Sequence, residues 1–356
     1  YQEHNQQLQY LTTSGEYTNF KRPDGIVMLA DIKRVSSAII KNNSAALWDI
    51  GDGVVCFEFT SKMNSLDTDT MQLLQQSIKE VKNNHKAMVI YNDSNNFSAG
   101  ANLGLAMFAA NIAAWPEIAK LVSSGQQAYK ALKYSPFPVV CAPSGMALGG
   151  GCEILLHSDA VQAHVETYTG LVEVGVGIVP GWGGCKEMLA RWTNNPKHPK
   201  GPMPGTAKAF ELISTAAVSK SAEEARSNMV LRDSDQITMN RYRLLADAKA
   251  KALSLVDDYQ IPQEPTFNLP GPSAKVAFAM AVDGFVRNGK ATKHDRVVSM
   301  AVAEILSGGP KADPTVSQSE DDILELERKT FMKIMRHPDS IDRLEHILLT
   351  SKPLRN

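Results

Sequence analysis

Two glutamates stand where a carboxylate is costly. Glu153 follows three glycines and Cys152 in "MALGGGCEILLHSD" (146–159) and leads into Ile154, Leu155 and Leu156. Glu173 stands between apolar residues in "ETYTGLVEVGVGIVPGWGG" (166–184). A glycine run entering a helix leaves unpaired N–H groups beside the positive end of the helix dipole, and no side chain keeps another molecule away. Such a turn can hold an anion or a developing oxyanion. A carboxylate one step inside the helix is placed to work on whatever the turn holds. A carboxylate in an apolar setting tends to stay protonated near neutral pH, and two that share a pocket push their pKa values apart into an acid and a base. A third segment, "NNFSAGANL" (95–103), offers a second glycine-loosened backbone able to point an N–H into the same site.

These residues need rigid elements to bring them together. "LWDIGDGVVCFEF" (47–59) reads as a hairpin, with a Gly-Asp-Gly turn before a β-branched and aromatic run. "SLDTDTMQLLQQSIKEVKNN" (65–84) has helical spacing and an N-cap candidate in Ser65 or Asp67. "AMVIYND" (87–93) and "YSPFPVVCAPSG" (134–145) read as buried strands, and "LGLAMFAANIAAW" (103–115) as a buried or pocket-lining helix too short for a bilayer. Alternating strands and helices imply an α/β layered core. "NNPKHPKGPMPG" (194–205) is a loop by composition, and 261–272 and 308–322 are linker-like. Helical patterns cover 221–231, 240–256 and 323–335. Residues 1–45 are polar, weakly helical over 25–40, and read as an appendage.

Composition narrows the function classes. Lys plus Arg is 37 against 38 for Asp plus Glu, so no basic excess points to nucleic acid or to an anionic membrane. No segment is apolar for long enough to insert in a membrane. Cys56, Cys141, Cys152 and Cys185 are scattered without C-x-x-C pairing, which fits buried free thiols in a reducing cytoplasm. The polar start, with Tyr1 first, is not a signal peptide and reads as a fragment or a processed product.

The three segments in this order resemble the crotonase (enoyl-CoA hydratase/isomerase) superfamily. "SAGAN" (98–102) is similar to its first oxyanion-hole segment, and "ALGGGCE" (147–153) to the second with the first catalytic glutamate. "GLVEVGVGIVPGWGG" (170–184) is similar to the segment of the second. The resemblance implies an α/β, crotonase-type spiral of ββα units over residues 46–260, with a helical C-terminal region over 261–356. It implies an oxyanion hole from the backbone N–H groups of Ala101 and Gly150, with Ala99, Gly100, Gly149, Lys62 and Trp182 near the substrate. Glu153 would assist the attack of water on C3 and Glu173 would deliver a proton to C2. Relatives that isomerise generally keep only the second glutamate. The implied activity is therefore enoyl-CoA hydratase, adding water to 2-trans-enoyl-CoA in fatty acid β-oxidation. The alternatives are an enoyl-CoA isomerase relying on Glu173, and a non-catalytic acyl-CoA-binding or assembly module. No metal or prosthetic group is implied; CoA enters as part of the substrate.

"GIVMLADIKRV" (25–35) and the ending "HILLTSKPLRN" (346–356) resemble the C-terminal half of bacterial two-function fatty-acid oxidation proteins, in which a 3-hydroxyacyl-CoA dehydrogenase precedes the hydratase. Residues 1–45 would then be the tail of that dehydrogenase, and NAD would belong to the missing half alone. A homo-oligomer and a thiolase partner are implied in the same way. Asn102 and the bulky Trp182 depart from the family's usual Asp and small residue. His157 and His164 lack a third metal ligand at useful spacing, so a helix-end and a strand histidine are expected. Asp159 resembles a structural acid. Ser98 lies outside a G-x-S-x-G elbow. The charged run "DDILELERK" (321–329) reads as a solvated face.

Overall fold

The computed structural model describes residues 1–4 and 7–356. The chain opens on three short antiparallel strands, β1 (Gln2–His4), β2 (Gln7–Leu11) and β3 (Tyr17–Asn19). The last two are exposed or half-buried, so no buried apolar face marks them in the sequence. The helical stretch expected over 25–40 is a single short helix, α1 (Leu29–Val35), which buries Leu29 completely against the main sheet. β4 (Ile40–Lys41) is that sheet's edge strand, so the sheet starts before residue 46.

The expected hairpin is β5 (Ala45–Asp49) and β6 (Val54–Phe59), paired antiparallel. Gly51, Asp52 and Gly53 all take positive φ in its turn, a conformation that glycine reaches without strain. Next come α2 (Thr68–Asn84), β7 (Ala87–Ile90), α3 (Leu103–Asn111), α4 (Trp115–Lys133), β8 (Val139–Cys141) and β9 (Gly145–Leu148). Asp67, not Ser65, caps α2: its side chain accepts from the Thr70 N–H at 2.9 Å, and Thr70 reaches back to the Asp67 amide. The chain continues through α5 (Gly150–Leu156), β10 (Ala160–His164), β11 (Thr167–Gly170), α6 (Gly184–Thr193), α7 (Pro202–Ser214), α8 (Ala222–Ser227), β12 (Gln236–Thr238) and α9 (Leu244–Ser254). It ends with β13 (Thr266–Phe267), α10 (Pro272–Arg287), α11 (Lys293–Leu306), β14 (Gln318–Ser319), α12 (Glu320–Met335) and α13 (Pro338–Thr350).

The main sheet runs β12-β10-β8-β7-β6-β5-β4, parallel from β12 to β6 and antiparallel beyond. Side chains alternate between its two faces. Val55, Phe57, Met88, Ile90 and Val139 join a large core shared with the helices that surround the two glutamates. Val54, Cys56, Ala87, Val89 and Val140 join a smaller core under α1 and α9. Each buried Val, Ile, Phe or Met side chain among them contributes roughly 1.5–3 kcal/mol.

A narrow second layer explains the spiral. β9 pairs with β11 in parallel, Ser98 bridges Ala147, and Thr169 bridges Ser219. Each turn of chain thus adds one strand to the main sheet and one extended segment to this inner ribbon. The composition-based loop over 194–205 is shorter than expected: Pro202 starts α7, because a proline in the first turn gives up only an N–H with no partner in the helix. The linker-like stretches 261–272 and 308–322 contain β13 and β14, which pair with each other. Among the described residues, no helix is long and apolar enough to cross a membrane.

Candidate active site

The inner ribbon aligns the two glycine-rich segments. Ser98 donates its N–H to Met146 O at 2.9 Å and accepts the Leu148 N–H at 3.0 Å. On its other side the segment is held by Leu66, whose N–H donates to Gly100 O at 2.8 Å and whose carbonyl accepts the Asn102 N–H at 2.9 Å. Gly100 (φ +94°) is pressed so closely on the second segment that a Cβ there would lie 2.8 Å from Leu148 O and 3.4 Å from the Gly150 nitrogen. Between these tethers, the Ala101 and Gly150 amides have no protein acceptor among the described residues. Both residues line one cavity, so two donors without an acceptor border the same space, which is what an oxyanion hole would need.

Gly149 makes the sharp entry to α5, with φ 52° and ψ −122°. A Cβ there would stand 3.2 Å from Glu173 Oε1. The Tyr129 hydroxyl donates to Gly150 O at 2.8 Å and fixes the first turn of α5 from α4. Asn102, the departure from the family's aspartate, caps α3 by accepting the Leu105 N–H at 3.2 Å, a task either residue can do.

Glu153 is buried in α5. Its Oε1 accepts two amides of the Gly-Trp-Gly-Gly turn, from Trp182 at 2.8 Å and Gly184 at 2.9 Å. Burial pushes its pKa up to about 7, against the pull of those two N–H donors and of Lys186. Glu173, in a short 3-10 turn (Glu173–Val176), has only its own backbone N–H as a donor, and among the described residues its buried Oε2 has no partner. Burial, then the neighbouring Glu153, raises its pKa well above the usual carboxylate range. Near neutral pH the pair therefore separates into an ionisable Glu153 and a protonated Glu173.

Both carboxyls line a cavity of about 250 Å³ that also touches Ala99, Gly100, Ala101, Gly149, Gly150 and Trp182. Its far walls are apolar and come from several helices: Leu103 and Ala106 of α3, Leu121 and Val122 of α4, Phe331 and Met335 of α12, and Leu344 and Ile347 of α13. The expectation for 103–115 holds in part. One face of α3 lines the cavity, while Leu105, Phe108 and Ile112 are exposed. The Trp182 indole is nearly buried and lies over Gly150, where a Cβ would come within 2.6 Å of the ring. Lys62 stands exposed and does not line the cavity; its neighbour Met63 accepts the Ala99 N–H at 3.3 Å.

The discounted groups are structural. Ser98 is buried, with its hydroxyl donating to Asn64 O at 2.7 Å. His157 ends α5, its Nδ1 2.7 Å from Glu153 O and its Nε2 3.1 Å from the Lys186 ammonium, and burial holds its pKa down at about 3. Lys186 has only donors, so His157 Nε2 accepts and Nδ1–H donates. His164 lies in β10, and Asp159 accepts the Val139 N–H at 2.8 Å. All four cysteines are buried free thiols, with Cys141 and Cys152 pushed up to about 12 by burial. His294, His337 and Asp339 approach one another outside the cavity. The N-terminal ends of α11 and α13 and the Arg343 guanidinium oppose a cation there, so we assign no metal to them.

The run 321–329 corrects the expectation of a solvated face. Glu327 is completely buried, Glu320 is nearly so, and both stand with Ile323 and Leu324 on the inner side of α12. The signal was present in the spacing: Ile323, Glu327 and Phe331 recur every four residues, so an inward helix face carries a glutamate.

A ββα spiral that brings two free amides and two buried carboxyls to one apolar cavity defines a crotonase-type domain. The family model described as enoyl-CoA hydratase/isomerase matches residues 49–195, and that part of the chain is a domain of the superfamily. It is 36% identical over 343 residues to a probable 3-hydroxyacyl-CoA dehydrogenase of Bacillus subtilis, covering 96% of this chain and 43% of the relative. It is 30% identical to a putative fatty acid oxidation complex trifunctional enzyme of Rickettsia felis, covering 89% of this chain and 41% of that one. The chain thus spans less than half the length of either relative. Among solved structures, the enoyl-CoA hydratase of Bacillus halodurans superposes with a TM-score of 0.58 at 18% identity, covering 85% of this chain and 99% of that one. An enoyl-CoA hydratase/isomerase of Mycobacterium paratuberculosis gives a TM-score of 0.56 at 17% identity, covering 86% and 98%. At these identities the likeness is one of fold.

Proposed function

We propose that this chain is an enoyl-CoA hydratase, adding water across C2=C3 of a 2-trans-enoyl-CoA to give the 3-hydroxyacyl-CoA. One observation carries the reading: two carboxyls in unlike settings, Glu153 held by two amides and Glu173 with a buried oxygen that has no partner among the described residues, line one apolar cavity beside two amides without an acceptor there. The thioester oxygen takes the N–H groups of Ala101 and Gly150, which hold charge as it develops there. Ionised Glu153 accepts a proton from the water whose oxygen bonds to C3. Protonated Glu173 gives its proton to C2 as the π bond breaks. A proton passed from Glu153 back to Glu173 restores the starting state. An isomerase needs one residue to shuttle a proton between two carbons. Glu153, the carboxyl that isomerising relatives generally lack, has its own pair of amide donors here, which favours hydration over that simpler task. A binding module has no use for two buried acids.

The chemistry uses the chain's own residues, with CoA supplied as part of the substrate and no prosthetic group. The relatives' names support a proposed domain organisation. Residues 1–45 would hold the tail of a 3-hydroxyacyl-CoA dehydrogenase, with β4 at their end already joined to the crotonase sheet, 46–260 would be the body of the crotonase domain, and 261–356 a helical region closing its cavity. NAD would serve only the dehydrogenase, which would oxidise the alcohol formed here; a thiolase would consume the resulting ketone. A homo-oligomer working in the cytoplasm completes the proposal.

The test offers purified protein a 2-trans-enoyl-CoA and a 3-enoyl-CoA separately and identifies the products. Hydration predicts 3-hydroxyacyl-CoA from the first as its conjugated-thioester absorbance falls. Rapid conversion of the second with no alcohol from the first would make the chain an isomerase. Tight binding of both without turnover would make it a binding module.

A further inference from the structure

The turn that holds Glu153 is itself held from behind, by a part of the chain far beyond the segment the family model matches. Its three consecutive amides are divided between two carboxyls. Trp182 and Gly184 donate to Glu153, while Gly183 between them donates to Glu327 Oε1 at 3.0 Å. Successive amides can point opposite ways here because Gly183 has a φ of +100°, which a residue with a side chain would resist.

Glu327 belongs to α12, and α12 grips the turn at further points. Gln126 Nε2 lies between Gly181 O at 3.0 Å and Leu324 O at 2.9 Å, while Arg328 donates to the Gln126 side-chain oxygen at 3.1 Å. The Phe331 ring packs on Gly181, where a Cβ would lie 3.1 Å from it. At the start of α12, Glu320 is buried against Lys186 at 2.5 Å and Tyr134 at 2.7 Å. The helix is therefore fixed before it reaches the turn. Glu327 is completely buried, and among the described residues its Oε2 has no partner. A buried acid with one unsatisfied oxygen costs stability, so packing alone does not account for it.

We propose that Glu327 is a positioning residue for Glu153: by holding the Gly183 amide it aims the flanking amides of Trp182 and Gly184 at one oxygen of Glu153. No protein donor reaches the other oxygen of Glu153 among the described residues, which leaves it for water. The inference rests on the hydratase reading for its catalytic meaning, but not for its test. It makes α12 part of the reaction centre.

The groups that face Glu153 are Glu173 from the 3-10 turn, Lys186 and Cys185 from α6, Glu327 from α12, Tyr129 from α4 and Cys152 beside it on α5. Two variants separate hydrogen bonding from charge. Glu327→Gln keeps an oxygen for the Gly183 amide and removes an acid. Glu327→Leu fills similar space and removes the acceptor. The titration of Glu153 is read without substrate, as the pH-dependent carboxyl infrared band that Glu153→Gln abolishes. Hydration kinetics are read in parallel.

In Glu327→Leu the flanking amides lose their aim, the ionised form of Glu153 loses support, and its titration moves to higher pH. The hydration kcat falls about tenfold or more, with KM little changed. In Glu327→Gln the titration stays in place or moves down, and kcat stays near wild type. A Leu variant that is folded, with the Glu153 titration unmoved, overturns the proposal. So does a Gln variant that shifts upward as far as the Leu variant. If wild type itself hydrates nothing, the hydratase reading fails, while the infrared titration still decides the role of Glu327.

Discussion

Replacing Glu153 by Gln removes a buried charge but keeps the shape and one oxygen for the Trp182 and Gly184 amides. Burial raises the pKa of Glu153 from 4.5 to about 7, so ionising it in the folded protein is costlier than in the unfolded chain. The folded pKa exceeds the unfolded one. The stability linked to this group is therefore fully present below pH 4.5 and lost as pH rises through about 7. At about 1.4 kcal/mol per pKa unit, a shift of this size corresponds to about 3 kcal/mol. Urea unfolding of wild type and variant at several pH values measures it. Any loss of packing in the variant is a constant offset, so the informative quantity is the change in their difference with pH. The variant should gain about 3 kcal/mol relative to wild type between acid pH and pH 8.5. Loss of Glu153 also relieves Glu173, which acts in the same direction. Parallel curves for the two proteins would refute the buried, strained carboxylate.

Other expectations follow from the same geometry. Hydration kcat/KM should trace a bell against pH, rising through about 7 as Glu153 ionises and falling well above it as Glu173 loses its proton. Gly149→Ala should lose about 1–3 kcal/mol of stability in thermal unfolding, since φ 52° with ψ −122° suits only glycine. It should also lower hydration, because the new methyl meets Glu173 Oε1 at 3.2 Å. Trp182→Ala should cost about 3–5 kcal/mol by opening a cavity over Gly150, and should shift the preference toward longer enoyl chains in a competition assay.

The chemistry of this chain is legible where the signal is local. The glycine run before Glu153, the hairpin turn at Gly51–Gly53 and the Asp67 cap each need only a few neighbouring residues to be read. What was not legible depends on distant packing. β2 and β3 stay at or near solvent, so the alternation of Gln7, Leu8, Gln9 and Tyr10 marks no buried face. Pro202 looked like part of a loop because proline is also at home in the first turn of a helix. Trp182 could be read as bulky, but only the fold lays its ring over Gly150. The cavity walls from α12 and α13 lie more than a hundred residues after the glutamates they face. Glu327 was hidden by its charged neighbours Glu325, Arg328 and Lys329, which occupy other faces of the same helix.

The division of labour between two buried carboxyls is the central claim, and single-turnover hydration of a 2-trans-enoyl-CoA tests it most directly. Wild type would be compared with Glu153→Gln and Glu173→Gln in water enriched in ¹⁸O, following label at C3. Both variants should still bind the thioester, because the Ala101 and Gly150 amides are untouched, and both should lose most of the label transfer. Full label transfer by either variant would contradict the claim, because one carboxyl would then suffice.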